Sequence, residues 1–338
     1  MATDTTNRKV VLARRPDGAL AEGCFRIEEE ALRPLDDGEI RVATHALSID
    51  AFMRTILYEQ SFHASVPIGG TLTALGVGRV VESRDPGFAE GDAVTGPLMA
   101  QTHAVLPGRM LHKVDAERAP LSAWLGVLGM TTGLTAYFGV CRVGAVAEGE
   151  TVLVSAAAGA VGSVASQIAK LRGARVIGLA GGPAKVRYLT DELGLDAGID
   201  YKGEDVGARL DALAPDGIDV YFDNVGGELL DLALDRIRLR GRVVLCGAIS
   251  QYDDMQDVRG PRLYLRLAER QARMEGFAVD HFRDRFGEAV EQLADWYASG
   301  RLSLREHVEH GIERLPAALC LLMAGGNMGK MLVAIDDA

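Results

Sequence analysis

Close cysteine pairs, basic runs and long apolar stretches are all missing from this chain of 338 residues. Cys24, Cys141, Cys246 and Cys320 are scattered, too few for a disulfide scaffold and too dispersed for a structural zinc lobe, so they read as reduced, packed thiols. Lysine and arginine number 36 against 47 aspartates and glutamates, a net charge of −11. That balance opposes binding to nucleic acid or to an anionic membrane, because either needs a basic patch to displace counterions. No apolar run reaches the roughly 18 to 20 residues that cross a bilayer, and the opening MATDTTNRKV has no apolar signal core. A cytoplasmic protein is expected. No internal repeat or low-complexity linker marks a junction, so domain boundaries rest on changes of period alone. With 48% hydrophobic and 25% charged residues, the composition is that of a soluble globular protein long enough for two domains.

From Lys9 to about Asp115, short alternating or β-branched runs are broken by PDG, DDG and DPG turns, which predicts a strand-dominated domain. The segments at 38–50, 73–85 and 91–106 read as its strands. After Asp115 the period changes. Residues 116–144 carry apolar residues at helical spacing, interrupted at Gly129 to Gly133, which predicts two helices with a bend. Strands at 174–180, 197–201, 218–225 and 241–249 then alternate with helices at 184–193, 204–214 and 227–239, a βα repeat that predicts a parallel sheet covered on both faces. A strand-like piece at 274–279 precedes an amphipathic helix at 286–300. The chain closes with a helix at 316–326 and a strand at 330–335 expected to rejoin the first domain. The expected division is 1–125 with 310–338, and 126–309.

Thr151 to Leu171, TVLVSAAAGAVGSVASQIAKL, is the stretch that points to chemistry. A buried β-branched run turns through Ala157, Gly159, Ala160, Val161 and Gly162 into a helix, matching the dinucleotide fingerprint with alanine for its first glycine. Small residues let the backbone approach a pyrophosphate, and the helix N-terminus aims free N–H groups at it. The next strand of an NAD enzyme ends in an acid for the ribose 2′-hydroxyl. Here no Asp or Glu lies between Val176 and Lys185, an absence that suits a 2′-phosphate with Lys185, and also Arg187, as its cation. NADPH is the predicted cofactor; the bland reading of Lys185 is an exposed helix lysine.

Taken together, GVGRVVES, AAAGAVGS, AKVRYL, IDY, YFDNVGGE, CGAIS, MEGF and NMGK resemble, in order and over nearly the whole chain, the alkenal double-bond reductases. That family includes prostaglandin and curcumin reductases, within the zinc-independent medium-chain dehydrogenase/reductases. The resemblance implies a GroES-like β-rich domain, a Rossmann domain, a homodimer, and hydride transfer from NADPH to the β-carbon of an α,β-unsaturated aldehyde or ketone. It implies Lys185 and Tyr201 at the 2′-phosphate and Asn224 beside the cofactor. Cys246, Ile249 and Ser250 would follow along the cofactor, and Phe277, Val279 and Asn327 would approach its nicotinamide end. Read singly, Asn224 suits a turn, and Cys246 or Phe277 suits a core.

No metal is expected. Where the related zinc alcohol dehydrogenases place a cysteine and a His-Glu pair, this chain resembles them with Ser48 and Ala74-Leu75-Gly76, and a catalytic zinc needs three ligands. His45, His63, His103 and His112 lack ligand spacing. The carbonyl oxygen must therefore be polarised by hydrogen-bond donors. The chain departs from the family here: Ala51-Phe52-Met53-Arg54 replaces Pro-Tyr-Met-Arg, and Glu269 stands where several members have a tyrosine. Tyr58, Tyr252 and Tyr264 are the phenols left as donors, Tyr264 and Tyr58 foremost. Arg54 either meets an acidic substrate tail or makes a structural ion pair. GMTTGLTAY has one residue more than the family's GMPGLTAY. The wall from Phe52 to His63 departs most and sets the substrate. Two other functions stay open: an NADPH quinone reductase, and an NADPH-binding protein with little turnover.

Overall fold

Residues 6–59 and 64–335 are described by a computed structural model. The chain divides into two compact units, one running to Leu125 and resuming at Glu306, the other running from Gly126 to Arg305.

In the first unit, β1 (Thr6–Leu12) and β2 (Phe25–Ala31) pair as an antiparallel ribbon. β3 (Glu39–Ile49), β4 (Gly76–Ser83), β5 (Ala93–Gly96), β6 (His103–Pro107) and β7 (His112–Lys113) form an antiparallel sheet around the long β3. A single helical turn, α1 (Phe52–Thr55), follows β3. Alternation along β3 puts Ile40 and Val42 into an apolar core with Val10, Leu12 and Val80, and a register shift between Thr44 and Ala46 brings Leu47 and Ile49 to the same core.

The second unit opens with blended helical turns: a π turn at Met130–Leu134, α2 (Thr135–Phe138), and a second π turn at Gly139–Val143. Upstream, where a first helix is expected, there is only a 3-10 turn at Leu121–Trp124, on the far side of the Gly126 and Gly129 break. Then β8 (Thr151–Val154), β9 (Arg175–Ala180), β10 (Ala197–Asp200), β11 (Ile218–Asp223), β12 (Ile237–Leu245) and β13 (Arg273–Gly276) form a wholly parallel sheet ordered β10-β9-β8-β11-β12-β13. This is the doubly wound Rossmann order, with α3 (Ala160–Leu171), α4 (Pro183–Arg187), α5 (Val206–Leu213) and α6 (Gly227–Asp235) as crossovers. The helix expected at 227–239 stops at Asp235. Arg236 leaves helical geometry, and the β-branched Ile237 is buried in the sheet core. The helix expected at 184–193 is α4 continued by a π turn at Tyr188–Glu192. The 274–279 strand stops at Gly276 and gives way to a 3-10 segment at Val279–Arg285. α7 (Leu265–Glu269) and α8 (Phe286–Ala298) complete the unit.

β14 (Glu306–His310) then pairs in parallel with β15 (Lys330–Ala334), and β15 lies antiparallel to β3, with α9 (Leu315–Met323) between them in sequence. β14 escapes notice in the sequence because EHVEH has only one apolar residue.

Candidate functional site

The glycine turn at the end of β8 is built by close packing. A Cβ on Gly162 would overlap the Ala156 carbonyl, so the first turn of α3 can sit against the loop only if that residue is glycine. Ala156 itself takes φ of 48°, turning the backbone sharply after the buried Ser155. Ala157 is buried, and its N–H is held by the Leu179 carbonyl at 2.9 Å. Gly159 caps α3 without a side chain, and no acid stands in the first turn. Ala160 and Val161 therefore present backbone N–H groups with no side-chain competitor, a polarity suited to phosphate.

Register decides what gathers next to it. Asp200 of β10 pairs with Ala180 of β9, so the turns after the two strands, 181–182 and 201–202, lie side by side. The Tyr201 hydroxyl and Lys202 Cε stand 2.8 and 3.0 Å from where Gly181 would carry a Cβ. Lys185, one turn into α4, has its ammonium pulled below the usual lysine range by burial and by the charge of Lys202. Lys185 and Lys202 thus bring two cations to this corner, a charge suited to an anion. The acid of this corner is held by the corner's own backbone: Asp200 Oδ1 accepts the N–H of Gly182 at 2.7 Å and of Lys202 at 3.0 Å, and the Gly182 bond leads in lowering its pKa. Lys202 and Asp200 escape sequence reasoning because their roles come from strand register.

Beside Tyr201 runs an open groove of about 540 Å³, lined by Asp205, Val225, Gly226, Glu228 and Ser250 among others. Its floor is the DNVGG turn. Asp223 Oδ1 accepts from the Tyr221 hydroxyl, the Ser155 hydroxyl and the N–H groups of Val225 and Gly226, and burial raises its carboxyl above the usual range. Asn224 is engaged on the same scaffold, donating its side-chain Nδ2 to the Ser155 carbonyl at 2.7 Å and its backbone N–H to the Ser155 hydroxyl at 2.8 Å. It therefore ties the ends of β8 and β11, the turn-shaping role a lone asparagine suggests. Ser250, beside Ile249 in a 3-10 turn, donates to the Val225 carbonyl at 2.6 Å. The Cys246 thiol is pushed up to about 12 by burial and by Asp223, which keeps it a neutral neighbour and no nucleophile.

Phe277 meets Phe282 edge-on at 6.3 Å, and Phe282 stacks on Phe138 at 4.6 Å. Phe277 thus serves an aromatic cluster at the end of β13, with Val279 opening the 3-10 segment beyond it. Tyr264 caps α7 and is 57% exposed. Tyr252 takes the Ala248 N–H on its hydroxyl at 3.2 Å. In the first unit, Arg54 has no exposed surface; it donates to the Gly18 carbonyl at 2.8 Å and the Tyr58 hydroxyl at 2.9 Å, with its guanidinium over the Tyr58 ring. These bonds are the structural use of Arg54. Asn327 is buried, donating to the Gly329 carbonyl at 3.0 Å. His63 lies outside the described residues. Among the described residues no group of three or more His, Cys, Asp or Glu is placed to hold a metal. Ser48 is instead bonded to Lys330 and Asp50, which sequence reasoning did not pair.

Residues 8–114 match the family described as the N-terminal domain of oxidoreductase, and residues 160–295 match the one described as zinc-binding dehydrogenase. The NADPH-dependent curcumin reductase of Escherichia coli is 36% identical over 98% of both chains, and the NADP-dependent 2-alkenal reductase of Nicotiana tabacum is 37% identical over 99% of both. The structure of CurA from Vibrio vulnificus in complex with NADPH superposes with a TM-score of 0.93 at 35% identity, covering 98% of this chain and 100% of that one. The chain belongs to the zinc-independent medium-chain dehydrogenase/reductases, in the branch of NADP-dependent oxidoreductases that holds the alkenal, curcumin and prostaglandin reductases.

Proposed function

We propose that this oxidoreductase uses NADPH to reduce the carbon–carbon double bond of α,β-unsaturated aldehydes and ketones, as a cytoplasmic homodimer. The observation that carries the cofactor half is the corner formed by Lys185, Tyr201 and Lys202, two mutually repelling cations beside a glycine turn. Their charge fits the 2′-phosphate, the Gly159–Gly162 turn fits the pyrophosphate, and the groove beside the DNVGG turn fits the adenosine end. Bound NADPH supplies a hydride for the β-carbon of the substrate. What the chain supplies is placement, together with donors that stabilise charge arising on the carbonyl oxygen. Tyr264 and Tyr58 are the phenols we assign to that oxygen or to the returning proton, and Arg54 holds Tyr58 in place. Likeness over nearly the whole chain to a curcumin reductase and a 2-alkenal reductase supports the reaction class. The homodimer draws support from the outer edge of β13, which has no strand partner among the described residues. Four free cysteines accord with a reducing compartment.

The test is NADPH and NADH oxidation against a panel of enals, enones and quinones, with product analysis. A saturated carbonyl product made with NADPH is expected; an allylic alcohol would overturn the reading. Turnover of quinones alone would favour a quinone reductase, and cofactor binding without consumption would favour a binding protein.

A further inference from the structure

Lys330 has no exposed surface. Its Nζ donates to Ser48 Oγ at 2.6 Å and to Asp50 Oδ1 at 2.7 Å, and Ser48 Oγ donates onward to Asp50 Oδ2. Ser48 and Asp50 are themselves buried, so ammonium, hydroxyl and carboxylate close a ring inside the first unit. Such a ring is a poor way to stabilise a core, because apolar residues of the same volume avoid the desolvation of two charges. What it supplies is direction, since charge-assisted hydrogen bonds hold distance and angle where apolar contacts slide. The ring joins two segments of interest. Lys330 opens β15 three residues after Asn327, whose side chain is bonded to Gly329. Asp50 follows β3 and starts α1, its carbonyl accepting the Met53 N–H at 3.0 Å, with Phe52 on that turn.

We propose that Lys330, acting through Asp50 and Ser48, is a positioning residue for the reduction: it holds α1, with Phe52, in fixed register with the Asn327 turn. The inference rests on the reductase function proposed above. Lys330→Met alone leaves Asp50 buried without its cation and is expected to lower Tm by roughly 5–10 °C. Lys330→Met with Asp50→Leu removes both buried charges together, leaving of the ring only the neutral Ser48 hydroxyl. We expect it to regain Tm and keep its Kd for NADPH within twofold, while kcat for a medium-chain 2-alkenal stays at least tenfold below wild type. Recovery of both Tm and kcat would overturn the proposal, because the ring would then be merely structural. Should the double variant fail to fold, Ser48→Ala decides: Tm near wild type with kcat lowered at least threefold supports the proposal, and unchanged kcat overturns it. If wild-type protein reduces quinones and leaves 2-alkenals untouched, the function proposed above fails, and the same comparison is scored on quinone turnover.

Discussion

At the scale of single residues, the proposed cofactor corner is a matter of two lysines and one acid held by backbone N–H groups. Lys185 alone would be an ordinary helix lysine. Burial and the charge of Lys202 together lower its pKa, and in the proposed complex a phosphate would offset that like charge. Lys185→Ala is expected to weaken NADPH binding by roughly 10- to 100-fold, the size of one charge-assisted contact, with little change for NADH; titration of nicotinamide fluorescence checks it, and equal losses for both cofactors would refute the assignment. Lys202→Ala has a distinct signature. It weakens NADPH at neutral pH, but removing the like charge raises the Lys185 pKa, so the alkaline loss of affinity moves to higher pH. An alkaline limb that stays put would show that the lysines do not sense one another. Lys185 was legible as a candidate because an absence, the missing acid, pointed to it. Lys202 and Asp200 were not, because only the pairing of Asp200 with Ala180 brings their turns beside Gly182.

Among the elements, the π turn at Met130–Leu134 gives a physical account of the extra residue in GMTTGLTAY. The Leu134 N–H reaches back five residues to the Gly129 carbonyl at 3.1 Å, the geometry by which a helix takes up one added residue. A Cβ on Gly133 would overlap the Val127 carbonyl, so the turn packs too tightly for any other residue. Deleting Thr131 is expected to convert the π turn to an α turn, with far-ultraviolet circular dichroism unchanged, Tm within a few degrees, and altered KM across a series of enones. Loss of folded protein would mean that the π turn is required for the fold. Period located this segment as helical but could not say how its hydrogen bonds close. For the same reason 227–239 read as one helix: Ile237, Leu239 and the residues before them keep helical spacing, and only burial of Ile237 in the sheet core marks the change to β12.

Across the whole molecule, charge governs how stability responds to acid. The Arg33 side chain, with the Asp36 N–H, holds the Glu39 carboxyl at about 2 instead of its ordinary 4.5. Glu150 moves the same way: burial opposes ionisation, and paired hydrogen bonds from Arg242 overcome it. A carboxyl whose folded pKa is depressed contributes stability above its unfolded value and loses it as pH falls through the folded one. Tm is therefore expected to decline progressively as pH drops from about 4.5 towards 2, and Glu39→Gln should flatten part of that decline; an unchanged slope in calorimetry would remove Glu39 from the account. Asp223 has the opposite sense, since burial raises its pKa, so its share is present below the unfolded value and is lost as pH rises through the folded one. From sequence alone came the two kinds of domain, the parallel βα order, the glycine turn and the choice of NADPH, because hydrophobic period, small-residue spacing and a missing acid are local properties of the chain. Tertiary structure alone decided that Lys202 lies close enough to Lys185 to act on its charge, that Arg54 donates to Gly18, and that Lys330 meets Asp50 and Ser48. Those partners lie far apart in sequence or on turns whose adjacency depends on strand register, and no local pattern encodes which side chains a register brings within hydrogen-bonding distance.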